Sequence, residues 1–119
     1  MTFNELQNII AQGEGYFTEF KRNINSDLKK ELVAFANGSG GNIFLGIEDD
    51  GSVCGIQITN QLISQIQDAA NECDPPVNIE IINHTNQVLQ IHVFESSIKP
   101  HRTTRIWKKQ CRVIKWRIK

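Results

Sequence analysis

The sequence lacks the pattern that holds structural zinc. Its three cysteines, Cys54, Cys73 and Cys111, are widely spaced and odd in number, with no CxxC and no Cys/His cluster. That argues against a zinc site and against a disulfide framework. They read as reduced thiols, as expected of a cytoplasmic protein. No apolar run approaches the ~20 residues of a membrane-spanning helix, so no membrane partner is expected. Residues 1–12 carry polar residues throughout, unlike the apolar core of a signal peptide. Internal repeats and low-complexity segments are missing too. What remains is an ordinary globular composition, 39% apolar and 22% charged over 119 residues. It is enough for one compact domain with a core that needs no disulfides.

Acid is missing from the last part of the chain. Residues 1–98 hold all 13 acids against four bases, Lys21, Arg22, Lys29 and Lys30, a net of −9. Residues 99–119 hold nine bases and no acid, a net of +9. The expectation is a domain over residues 1–102 with a basic tail over 103–119, the tail being an edge strand or a truncated end. Basic tails meet nucleic acid through phosphates, or fold back on an acidic body. The tail also interleaves its bases with Trp107 and Trp116. Rings and bases together suit single-stranded nucleic acid, and equally suit packing with a solvated charged face.

Hydropathy spacing gives the elements. Phe3, Leu6, Ile9 and Ile10 recur at helical spacing up to Gly13. Residues 16–21 alternate as a strand. Ser26 is placed to cap a helix buried through Leu28, Leu32, Val33, Phe35 and Ala36, ending at Asn37-Gly38. Residues 42–49 form a nearly continuous apolar run, read as a central strand covered on both faces. Asp50-Gly51 signals a turn, with Val53–Ile58 returning as a strand. Thr59 caps a helix carrying Leu62, Ile63, Ile66, Ala69, Ala70 and Cys73, stopped at Asp74-Pro75-Pro76. Residues 77–82 and 87–94 read as a second hairpin. The fold class is α+β: a mixed sheet with helices packed on it.

The glycines of Gly38-Ser39-Gly40-Gly41 do not make a phosphate loop. A P-loop runs strand, glycines, helix, with a Lys opening the helix; here the order is helix, glycines, strand, and no Lys follows. The carboxylates offer more. Glu14 and Glu19 are five apart, which points them to opposite faces of a strand and about 140° apart on a helix. A turn at Gly15 would bring them together. With the acids of Glu48-Asp49-Asp50, they would make an oxygen-rich set for Mg²⁺ or Mn²⁺, able to activate water against a phosphodiester. Lys21 shares a strand face with Glu19 and is a candidate phosphate neutraliser. The plainer alternatives are a solvent-facing strand pair and, for Asp49 and Asp50, turn chemistry. Of the histidines, His84 is expected exposed in a hairpin loop and His92 on a strand surface. His101 opens the basic tail as a phosphate contact or a solvated residue. No serine or cysteine nucleophile has a partner in sequence.

Four segments in order carry a resemblance: GEGYFTEFK, ELVAFANGSGGNIFLGIEDDGSVCGI, a helix ending in DPP, and SSIKPHR. Together they resemble the AlbA-like domain of the Schlafen type, a DNA-binding domain of many bacterial transcription regulators. Glu14, Glu19-Phe20-Lys21, Ala34-Phe35-Ala36-Asn37, Gly40-Gly41, Gly46-Ile47-Glu48-Asp49 and Gly51 match its pattern, and the resemblance covers roughly residues 10–102. It implies an AlbA-like α+β fold, DNA or RNA as partner, and a homodimer, since such folds often pair. In Schlafen-type relatives that cut RNA, three carboxylates hold a divalent metal; the matching positions are Glu14, Glu19 and Glu48. The chain departs from the pattern after Lys99-Pro100, where an aromatic strand ending in Arg-x-Gly-Ser is replaced by TTRIWKKQCRVIKWRIK.

Three readings follow. The first is a nucleic-acid-binding domain of a transcription regulator, with Lys21, Arg22, Lys99, His101 and Arg102 on phosphate and no cofactor required. The second is a ribonuclease using Mg or Mn held by Glu14, Glu19 and Glu48. The third is a structural or dimerisation module without activity.

Overall fold

The computed structural model describes residues 3–12, 15, 17–85 and 87–103. The elements run α1 (Phe3–Gln12), β1 (Thr18–Lys21), α2 (Leu28–Asn37), β2 (Gly41–Leu45), α3 (Asn60–Glu72), β3 (Ile79–His84) and β4 (Val88–Val93). The four strands form one mixed sheet in the order β1-β2-β4-β3, an α+β arrangement. Strands β1 and β2 are parallel, joined by α2; β4 runs antiparallel to both β2 and β3.

Alternation sorts the sheet into two faces. Ile43, Leu45, Leu89, Ile91 and Val93 point to one side and are covered by Leu28, Leu32 and Ala36 of α2 and Leu62, Ile66, Ala69 and Ala70 of α3. On the other side Phe20, Phe44 and Val88 pack with Ile47, against Ile9 and Ile10 of α1. Strand β2 is therefore buried on both faces, as its unbroken apolar run requires.

Two glycines fix how this sheet is entered and left. Gly46 ends β2 at φ +94°, and a Cβ there would lie 2.5 Å from the Gln87 carbonyl oxygen. Gly40 precedes β2 at φ +82°, where a Cβ would meet the Val93 carbonyl oxygen at 2.8 Å. Only glycine takes both the dihedral and the close approach.

Three expectations are corrected. Ser26 does not cap α2. Asp27 holds that position without a side-chain bond, and the Asn25 side chain accepts from the Asp27 N–H instead. Residues 53–58 do not return as a strand. After a single bridge between Ile47 and Val53, the N–H groups of Cys54 and Gly55 turn onto the Gly46 carbonyl. Ile56 and Ile58 then pack, partly buried, against the core, so their apolar character serves the crossing to α3. His84 is buried, its Nε2 bonded to Gln90 Oε1 at 2.8 Å. The cap of α3 is as expected: Thr59 Oγ1 accepts from the Leu62 N–H.

Candidate functional site

The widest depression among the pockets described, about 780 Å³, opens where β1 ends. It collects Glu19, Lys21, Arg22, Asn23 and Asn25 from β1 and the loop after it, with Asp49, Cys54 and Gly55 from the loop after β2. Two segments distant in sequence thus share one wall. They are joined where the Lys21 carbonyl accepts from the N–H groups of Gly46, at 2.7 Å, and Ile47. Parallel pairing of β1 with β2 brings both strands' ends to the same place.

The charges of this groove are not equivalent. Glu19 and Lys21 share the face covered by α2, as alternation requires, and Lys21 is held there. Its ammonium lies 2.8 Å from Glu31 of α2, with side chains only 15% and 21% exposed. Burial works to lower the Lys21 pKa, but the hydrogen bond and charge of Glu31, with the charges of Glu19 and Asp27, outweigh it and raise the value. The second oxygen of Glu31, Oε1, is buried without a partner. Arg22 differs. Its side chain is 77% exposed and sits 3.3 Å from Glu48, an arrangement worth at most about 1 kcal/mol.

The acids divide similarly. Asp49 faces the groove, while Glu48 is turned toward Arg22. Asp50 is absorbed by the turn: its Oδ1 accepts from both the N–H and the hydroxyl of Ser52, which lowers its pKa. Glu14 lies outside the described residues, and among those described no group of three His, Cys, Asp or Glu could hold a metal ion.

The other sequence-derived contacts lie at the opposite end of α2, in a clasp made by residues 96–102. The Ser96 N–H donates to the Ala36 carbonyl. Lys99 Nζ donates to the Gly38 carbonyl at 3.1 Å and to Glu95 at 2.9 Å, a cation at the negative end of the helix. Asn37 holds the backbone of His101, and Arg102 exchanges both backbone hydrogen bonds with Asp74. His101, expected as a phosphate contact or a solvated residue, is buried among polar partners. It is 5% exposed; Nδ1 donates to the Pro75 carbonyl at 2.6 Å, and Nε2 lies 2.6 Å from the Ser96 hydroxyl. Of the lysines and arginines among the described residues, Arg102 alone is in no ion pair. Trp107, Trp116 and Cys111 lie outside the described residues.

A polar row that sequence reasoning missed crosses the sheet face opposite α2 and α3. His84 Nε2 bonds Gln90, Gln90 Nε2 donates to Asn42 Oδ1 at 2.7 Å, and His92 Nδ1 bonds the same oxygen at 2.8 Å. The sequence signal was available: polar residues at the even positions 90 and 92 of an otherwise apolar strand.

The family description Schlafen, AlbA_2 matches residues 14–115, taking in the groove and the clasp together. The chain belongs to the Schlafen AlbA_2 family. No curated protein matches it. Among solved structures, the DIP2311 protein from Corynebacterium diphtheriae is similar at a TM-score of 0.55 and 15% identity, over 85% of this chain and 23% of that one. That likeness is one of fold. This Schlafen AlbA_2 chain spans about a quarter of that protein's solved length. Among the described residues no helix is long and apolar enough to cross a membrane.

Proposed function

We propose that this Schlafen AlbA_2 domain binds nucleic acid, with DNA as its first target and transcriptional regulation in the cytoplasm as its use. The family match over both charged regions carries the reading. The geometry supports Arg22, Lys99 and Arg102 as the phosphate contacts. Arg22 is in an exposed ion pair that a phosphate can replace at little cost, Lys99 is more than a third exposed beside Glu95 and the Gly38 carbonyl, and Arg102 is in no ion pair among the described residues. Lys21 and His101 act through the fold. Lys21 is committed to Glu31, and the His101 ring is enclosed. A homodimer would join two such surfaces, and light scattering reads it directly.

A metal-dependent ribonuclease built on Glu14, Glu19 and Glu48 is the second reading. It is favoured by one observation, that Glu19 and Asp49 line the same groove as Lys21 and Arg22. The test is fluorescence anisotropy with labelled single-stranded RNA and duplex DNA, with and without Mn²⁺, followed by a gel of the products. Binding that weakens steeply with salt, on intact probe, supports the binding domain. Cleavage that needs Mn²⁺ and is lost in Glu19→Ala replaces it with the ribonuclease. No binding at low salt leaves a structural or dimerisation module.

A further inference from the structure

Beside the clasp lies a notch of about 190 Å³, lined by Pro75, Pro76, Asn78, Phe94, Ser97 and Ile98 among others. Ligand sites for drug-sized molecules run to ~300–1,000 Å³, so this one takes a single ring rather than a nucleotide. Its walls are unusual for a surface feature. Phe94 is 45% exposed and Ile98 is 67% exposed, two of the four exposed large apolar side chains described.

The aromatic wall is held in place. The Phe94 ring meets His92 edge-to-face at 4.5 Å and 89°. His92 is itself fixed through Asn42 Oδ1, the end of the polar row that starts at His84 and passes through Gln90, which is 3% exposed. The row is buried at His84 and Gln90 and half-buried at Asn42 and His92, and each of the four has a partner within it. One consequence is an exposed ring with a set orientation. The Phe94 N–H donates to the Asn78 carbonyl, and Pro75 is tied through its carbonyl to His101. The notch is therefore preformed, which spares a ligand the entropy of ordering it.

Two bases neighbour the notch-lining residues in sequence, although among those lining residues the one carboxylate or cationic side chain is the acid Glu95. Arg102 follows the notch-lining His101 and is in no ion pair among the described residues. Lys99 is adjacent, its charge shared with Glu95, which also lines the notch.

We infer that this notch receives one unpaired base of a single-stranded nucleic acid, stacked on Phe94, while Arg102 and Lys99 take the flanking phosphates. The inference rests on the nucleic-acid reading above and narrows its substrate to strands with accessible bases. Stacking needs a flat exposed face, which a base inside a duplex does not offer. It is sequence-tolerant, because every base has such a face.

The experiment uses the full chain and a short single strand carrying 2-aminopurine, an abasic strand of equal length, and a duplex. The expected result is quenching of the 2-aminopurine on binding, with weaker binding of the abasic strand. Phe94→Ala should weaken the base-bearing strand by about tenfold or more and leave the abasic strand unchanged. Ile98→Ala, at a more exposed wall residue, should give a smaller loss in the same direction; circular dichroism checks that both variants fold. Equal affinity for base-bearing and abasic strands, unaffected by either variant, overturns the base site and leaves phosphate binding standing. No binding of any probe at low salt overturns both.

Discussion

Asn37 and His101 hold each other through both backbone groups of the histidine. Asn37 Nδ2 donates to the His101 carbonyl at 3.2 Å, and the His101 N–H donates to Asn37 Oδ1 at 2.7 Å. The pair is partly buried and joins residues 64 apart in sequence. It closes the clasp onto the end of α2, beside the Lys99 contact with Gly38. Asn37→Ala removes both bonds and leaves two backbone groups in want of partners. At about 1 kcal/mol per net hydrogen bond, and more where a buried group stays unsatisfied, the expected loss is about 2 kcal/mol in urea unfolding. Equal stability of Asn37→Ala and wild type would show that the clasp is held from elsewhere.

Gly46 gives a sharper prediction. Gly46→Ala must take φ +94° and set a Cβ against the Gln87 carbonyl. The left-handed dihedral costs about 1–2 kcal/mol, and the overlap adds to it because backbone oxygen has little room to retreat. A loss of about 3 kcal/mol is expected by chemical denaturation. The damage should spread to the groove, since Gly46 also receives the N–H groups of Cys54 and Gly55.

These two sites show where the sequence was readable. Helices α1, α2 and α3 and the β3–β4 hairpin follow from spacing alone, because one apolar stripe decides each. The facing of Glu19 and Lys21 follows from alternation. That α2 would cover this face and commit Lys21 to Glu31 does not, because it depends on how the helix packs. Residues 53–58 look like a strand for the same reason that they pack: Ile56 and Ile58 are apolar in either case. The clasp is hidden because its bonds, side-chain and backbone alike, join residues far apart in sequence, a pairing with no periodic trace. Which of Glu48 and Asp49 faces the groove is set by the geometry of the loop, not by residue type.

The cysteines test burial independently. Cys73 is fully buried, and its thiol donates to the Ala69 carbonyl at 3.3 Å. Burial pushes its pKa up; Lys29 works against that and Glu72 with it. The thiolate is the reactive form, so Cys73 should resist alkylation at neutral pH while exposed Cys54 reacts. Peptide mapping after a short iodoacetamide pulse reads both. Fast labelling of Cys73 would mean that α3 opens readily from the sheet.

Lys21 should behave as a structural residue. Lys21→Ala leaves the Glu31 carboxylate largely enclosed and unpaired. Breaking a fully buried pair costs about 3–5 kcal/mol, and partial exposure reduces that to about 2. The raised pKa of Lys21 sets the pH dependence. A group raised on folding contributes fully below its unfolded value, and the contribution is lost as pH rises through the folded value. Stability should therefore fall on the alkaline side of 10.5, and Lys21→Met should flatten that fall. An unchanged alkaline limb in Lys21→Met would remove Lys21 as its cause.

Arg22 and Glu48 separate the two functional readings. The pair is exposed, so Arg22→Ala should change stability by less than about 1 kcal/mol. If Arg22 meets phosphate, the same substitution weakens nucleic-acid binding across sequences and lowers the salt slope by about 1. Glu48→Gln then carries the contrast. In a binding domain Glu48 competes with phosphate for Arg22, so removing its charge should tighten binding. In a metal-dependent ribonuclease Glu48 is a ligand, so the same change should abolish Mn²⁺-dependent cleavage. Anisotropy and a product gel on one variant give both answers. Tighter binding with no cleavage in wild type or variant would assign Glu48 to restraining Arg22; weaker binding would mean that Glu48 helps to build the groove.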